Sequence, residues 1–214
     1  MTSFPTSKFR PYFSKKRGCL IDLSHRCSLQ CSKCQRQIHF KDKKVVGDDL
    51  PMRTIEMILD KFTNISFGGQ LSDPIHYPNF IQVLEMCKEK RNRVKVQTAS
   101  SYKPESWFIK AFKAFPSAKW QFGLDGLPEE SHKYRVNQDG PKIFRMMSEA
   151  TKHLVYKPIW QYIVFNYNED HIEEARELAK KNNLQFVLMR SARWFKNDPL
   201  MPSAKNRIEE SVFD

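Results

Sequence analysis

The stretch Cys27-Ser28-Leu29-Gln30-Cys31-Ser32-Lys33-Cys34 decides how this chain is read. Three cysteines stand at C-x3-C-x2-C spacing, directly after the apolar run Cys19-Leu20-Ile21-Asp22-Leu23, a strand candidate. Three thiolates this close together suit a soft metal centre. They are one short of a closed four-cysteine site, so a centre held there keeps a position for substrate or cofactor.

Downstream of the cysteines, strand and helix signals alternate. The charged stretch to Asp49 reads as a surface loop. Asp49-Leu50-Pro51 opens a helix, with Asp49 as cap and Met52, Ile55, Ile58, Leu59 and Phe62 at helical spacing. Asn64-Ile65-Ser66-Phe67 is strand-like and runs into Gly68-Gly69. Pro78 opens a helix carrying Phe80, Val83, Leu84 and Cys87. Residues 94–98 alternate as a strand, and Pro104 starts a helix with Trp107, Phe108, Ala111, Phe112 and Phe115. Residues 118–124 form a strand ending in Asp125-Gly126, followed by a helix over about 140–154. Residues 159–165 are an apolar strand, Asn168 caps a helix over about 169–182, and residues 184–188 are the last strand.

Helical segments long enough for crossovers imply a parallel sheet. Right-handed crossovers curl such a sheet toward a barrel, and six units fall short of the eight that close one. The expectation is an α/β fold, a partial (β/α)6 barrel over residues 18–194. A basic N-terminal arm over 1–17 precedes it and a polar tail over 195–214 follows.

Composition narrows the function classes. No apolar run approaches the ~18 residues that span a bilayer, and Met1-Thr2-Ser3-Phe4-Pro5 lacks the order of a secretory signal. The chain reads as cytoplasmic, where thiols stay reduced, so five cysteines with three clustered suit a metal centre better than a disulfide frame. Cys19 and Cys87 read as core residues. A net charge of +12 fits either plain solubility or attraction to an acidic or phosphate-bearing partner.

In parallel α/β folds reactive groups gather at the carboxyl ends of the strands. Here those ends carry the cysteine loop, Gly68-Gly69-Gln70, Thr98-Ala99-Ser100, Asp125-Gly126, Asn166 and Met189-Arg190. With the C-x3-C-x2-C loop after strand one and Gly-Gly after strand two, the chain resembles the radical S-adenosylmethionine (SAM) superfamily over roughly residues 18–190. The resemblance implies that Cys27, Cys31 and Cys34 bind three irons of a [4Fe–4S] cluster, while SAM binds the fourth through its amino and carboxylate groups. It implies reductive cleavage of SAM to a 5′-deoxyadenosyl radical that takes hydrogen from a substrate. The electron would come from a small donor such as flavodoxin or ferredoxin.

Other positions follow by the same resemblance. Gly68, Gly69 and Gln70 match a Gly-Gly-Glu stretch that holds the SAM amino group, with Gln70 a neutral replacement for the acid. Thr98 and Ser100 match a polar strand end that touches SAM, Asp125 a common Asp-Gly, and Gln161 a commonly polar strand position. Met189 falls where a strand end packs near adenine, and Arg135 is placed to pair with the SAM carboxylate or an acidic substrate. Lys33 departs from the aromatic residue usual before the third cysteine. The substrate, whether small molecule, peptide or nucleic acid, is not encoded in any motif. The competing reading is a zinc- or iron–sulfur-stabilised nucleic-acid-binding module, with His25 or His39 as a fourth ligand.

Overall fold

The computed structural model describes residues 18–40 and 45–207. The expected basic arm over 1–17 lies outside them. Six strands form one sheet in the order β1-β2-β3-β4-β5-β6, every neighbouring pair parallel. They are β1 (Gly18–Ile21), β2 (Asn64–Phe67), β3 (Arg93–Thr98), β4 (Lys119–Gly123), β5 (Ile159–Ile163) and β6 (Gln185–Met189). The helices between them are α1 (Gln35–His39), α2 (Met52–Lys61), α3 (Phe80–Glu89), α4 (Glu105–Ala114), α5 (Gly140–Ala150) and α6 (Ile172–Lys181). Strand order that follows chain order, with a crossover at each step, is the topology of the expected partial barrel. β1 and β6 do not pair, so the sheet stays open along one side.

Side-chain alternation sorts the two faces of the sheet. Val94, Val96, Trp120, Phe122, Trp160 and Tyr162 are buried and share one core with Phe80, Val83, Phe108, Phe112, Ile143 and Met147 of the helices. The residues between them, Lys95, Gln97, Gln121, Gly123 and Gln161, face cavities on the other side. The outer core is aromatic. Trp120 has the rings of Phe112, Phe122 and Phe80 at centroid distances of 4.9, 5.8 and 6.4 Å. Each such ring stabilises the layer by about 1.5–3 kcal/mol through burial alone. Among the described residues no helix is long and apolar enough to cross a membrane.

Three local readings change. The stretch after Cys34 contains α1, because Arg36 turns inward and is buried. Asp49 caps nothing: it pairs with Arg26 at 2.5 Å, and α2 starts behind Pro51. Asn168 closes the turn after β5, accepting from the Phe165 N–H at 2.8 Å and donating to Ile163 O at 3.0 Å. A short 3-10 turn, Glu169–His171, precedes α6.

Candidate active site

One cavity of about 300 Å³ opens at the carboxyl ends of the strands. Cys27, Cys31 and Cys34 line it, together with Gly68, Gly69, Gln70, Thr98, Arg135 and Gln161. The other three expected positions do not. Ser100 and Asp125 are wholly buried behind the wall. Met189 is 42% exposed at the end of β6.

The cysteine loop is held from several directions. Arg36 donates to His25 O and to Leu71 O, both at 2.5 Å, and so ties the start of the cysteine loop to the Gly-Gly loop. His76 Nε2 accepts from the Ser28 N–H at 3.2 Å and pairs with Ser100 Oγ at 3.0 Å, while its ring stacks on Tyr102. Burial pushes the His76 pKa down, which keeps the ring neutral and Nε2 free to accept. Lys33, between the second and third cysteines, reaches Asp198 and Arg193 O and lies over the rings of Trp194 and Phe195. Segment 193–198 is thereby fastened to the loop.

The Gly-Gly loop is equally constrained. Asp22 accepts from the Gln70 N–H at 3.0 Å and from the Ser72 hydroxyl. A Cβ on Gly69 would lie 1.8 Å from the backbone Ser72 O, so that position accepts no side chain, whereas one on Gly68 would lie 2.6 Å from Gln97 Oε1 and require the Gln97 side chain to move. Asp73 follows, 5% exposed. It accepts from the Thr98 hydroxyl at 2.7 Å and from the N–H groups of Ala99 and Ser100 at 2.9 and 3.0 Å. The loop after β2 is thus bolted to the end of β3. The opposite wall rests on Asp125, which accepts from the Ile163 N–H at 2.7 Å and faces Arg135 at 2.7 Å. Burial pushes Asp125 up from the ordinary carboxylate range while Arg135 pulls it down. Burial is the larger influence, so the Asp125 carboxyl ends above its ordinary range despite the Arg135 charge beside it.

Asp22, Arg36, Asp73 and His76 hold the site without belonging to any sequence motif. Each has at least one partner 24 or more positions away and stands as a lone polar residue without periodicity. The only sequence signal was Asp-Pro at 73–74, an N-cap and first-turn pair: Asp73 accepts from the Ile75 N–H at 3.3 Å.

The three cysteines flank a shared cavity, a donor set that suits an iron–sulfur cluster whose irons each take a separate thiolate. Burial pushes the Cys27 thiol up to about 12 and the Cys31 thiol up to about 11, so a bound metal centre would be needed to hold them as thiolates. Arg36 Nε is buried in the same lining without a hydrogen-bond partner, and Arg135, ion-paired through Nε to Asp125, lines it as well. An unpartnered guanidinium nitrogen suits a cavity that receives negative charge, as a thiolate-bound cluster or a ligand carboxylate would bring.

No protein-family model matches the chain, and no curated protein matches it. Solved structures do. SuiB of Streptococcus suis, solved bound to S-adenosylmethionine, superposes with a TM-score of 0.70 at 14% identity, over 87% of this chain and 43% of SuiB. The same protein bound to precursor peptide SuiA gives 0.67 at 14% identity, over 80% and 38%. Methylornithine synthase (PylB) gives 0.59 at 20% identity, over 83% and 55%. HemN of Escherichia coli, a coproporphyrinogen III oxidase described as a radical SAM enzyme, gives 0.58 at 13% identity, over 91% and 50%. The chain spans about two fifths of the length of SuiB. It has the fold shared by these enzymes, a parallel (β/α)6 partial barrel.

Proposed function

We propose that the chain is a radical SAM enzyme, with a [4Fe–4S] cluster on Cys27, Cys31 and Cys34 and SAM in the adjoining cavity. The observation that carries the reading is the convergence of the three cysteines, Gly68-Gly69-Gln70, Arg135 and Gln161 on one cavity at the strand ends. When bound and reduced, the cluster supplies the electron that cleaves SAM to a 5′-deoxyadenosyl radical, which abstracts hydrogen from the substrate. The chain's own part is placement. The tight Gly68-Gly69 turn presents backbone polar groups to the amino end of SAM. Arg135, braced by Asp125, offers a fixed cation to a carboxylate. Gln161, whose Oε1 accepts from Gln121 Nε2, presents a held amide toward the middle of the lumen. A small electron-transfer protein of the flavodoxin or ferredoxin type supplies reducing equivalents.

The test is anaerobic reconstitution with iron and sulfide, then reduction in the presence of SAM. The expected result is about four irons per chain and release of 5′-deoxyadenosine. A Cys31→Ala variant loses both. A protein that takes up one zinc and no iron, or a Cys31→Ala variant that still cleaves SAM, overturns the assignment.

A further inference from the structure

The lumen has a second mouth. At the amino ends of the strands lies a cavity of about 800 Å³, bounded by the first residues of β1, β2, β3 and β4 and by the turns α3–β3 and α4–β4. It shares Leu20 with the cavity above, and Lys95 and Lys119 in its wall stand two residues below Gln97 and Gln121. Two residues of strand are about 6.6 Å, so the two cavities occupy successive levels of one barrel.

The charged residues of the lower mouth are basic. Among the described residues Lys88, Arg91, Arg93, Lys95 and Lys119 line it, and no carboxylate does. Among the described residues none of these five makes an ion pair with Asp or Glu; Lys119 lies 4.9 Å from the Tyr156 ring. β3–β4 register puts Lys95 directly opposite Lys119, about 4.8 Å apart across the ladder. Adjacent like charges are unfavourable unless an anion lies between them. Burial and the Lys119 charge both push the Lys95 pKa down.

Two further observations point to a ligand. Asn92 is 6% exposed and lines the mouth. Its Nδ2 is used on Leu59 O and Phe62 O, but its buried Oδ1 has no partner. Next to it Arg91 holds φ at 57°, in the left-handed region. The Arg91 N–H donates to Lys88 O and the Asn92 N–H to Cys87 O, closing α3 in a turn where glycine is the favoured residue. A guanidinium stands where its backbone is strained, in a wall that is otherwise cationic.

We propose that this lower mouth binds a small phosphate-bearing ligand of the nucleotide class. The phosphates lie among Arg91, Arg93, Lys95 and Lys119, and Asn92 Oδ1 accepts a ligand hydroxyl or amine. The cavity volume is that of a small-molecule site, and its five cations border one concavity, with Lys95 half-buried in its wall and the other four exposed around it. The site is independent of the iron–sulfur reading, since it uses none of the same polar residues.

The test is calorimetric titration of the full chain, with and without reconstituted cluster, using GTP, inorganic tripolyphosphate, guanosine and a 20-nucleotide single-stranded RNA. GTP and tripolyphosphate should bind, guanosine should not, and saturation with SAM should leave GTP affinity unchanged. Lys95→Ala with Lys119→Ala should weaken GTP binding at least about ten-fold. Arg91→Gly should weaken it about five-fold while leaving Tm unchanged or higher, which separates lost binding from lost folding. No binding of GTP, displacement of GTP by SAM, or unchanged affinity in the variants overturns the proposal. RNA binding without GTP binding also overturns it, in favour of a polymer surface.

Discussion

Gly123 and His76 each support a part of the site that they do not themselves supply, the Arg135 guanidinium and the backbone of the cysteine loop. A Cβ on Gly123 would fall 2.5 Å from Arg135 Nη2 and 2.8 Å from its Cζ. The guanidinium crosses β4 at the one position without a side chain, and Asp125 leaves it little room to retreat. Gly123→Ala should therefore cost about 1–3 kcal/mol through overpacking and displace Arg135. SAM affinity, read by calorimetry on the reconstituted protein, should fall about ten-fold; unchanged affinity would remove Arg135 from the SAM-binding set. His76 supplies one acceptor to the Ser28 N–H inside the cysteine loop. His76→Phe keeps a ring against Tyr102 but leaves that N–H without its partner, at a cost of about 1–3 kcal/mol. Iron should then be lost to a chelator several times faster, and His76→Gln, which restores an acceptor, should recover part of the difference. The cysteines were legible because their spacing is itself a signal. His76, Asp73 and Asp22 were not, because a single polar residue shows nothing until the fold sets it beside a partner far along the chain.

At the scale of elements, strand and helix alternation carried the reading of the sheet. Strands β4 and β5 place a large aromatic at every second position, Trp120 and Phe122, Trp160 and Tyr162, and the residues between them are polar or small. That period-two pattern identifies both the strand and its buried face. Residues 195–214 carry no such period and read as a tail. The described part nonetheless docks on the barrel. Asp198 and Asn206 are buried, Asn166 Nδ2 donates to Pro199 O at 2.7 Å, and Trp194 meets Phe165 edge to face. The anchor is the pair Lys33–Asp198, with side chains 14% and 1% exposed. Lys33 thus has a partner that no local pattern announces, since it lies 165 positions away. Asp198→Ala removes a charge-assisted contact of about 2 kcal/mol and should free segment 191–201. Hydrogen exchange there should accelerate at least ten-fold with β3 and β4 unaffected; unchanged protection would mean the aromatic contacts alone hold the segment.

For the whole molecule, the two ends of the barrel differ in charge logic. The amino-end mouth gathers unpaired cations, whereas the carboxyl end is stitched by carboxylates. Glu130 accepts from the Leu127 N–H at 3.1 Å and meets His171 Nδ1 at 2.8 Å, joining the loop after β4 to the turn before α6. Glu169 takes the Ser203 N–H and hydroxyl and the Asn206 amide, joining the turn after β5 to the C-terminal segment. Burial by itself raises both carboxyls. In Glu130 the His171 and Leu127 contacts outweigh it, and in Glu169 the Ser203 and Asn206 contacts do, so both end below the ordinary 4.5. A folded-state pKa below the unfolded value means the unfolded chain binds protons first as pH drops. The stabilisation is complete above about 4.5 and is lost as pH falls through the folded values. The urea midpoint should therefore hold between pH 7 and 5 and decline below 4.5. Glu130→Gln combined with Glu169→Gln should lower the midpoint at pH 7 and flatten the decline. Because both carboxylates sit at the strand ends that carry the cysteines, the loss begins on that face. Exchange in residues 124–140 and 199–207 should rise at pH 4 before it rises in β3. Uniform acceleration across all six strands would show instead that acid unfolds the barrel as one unit.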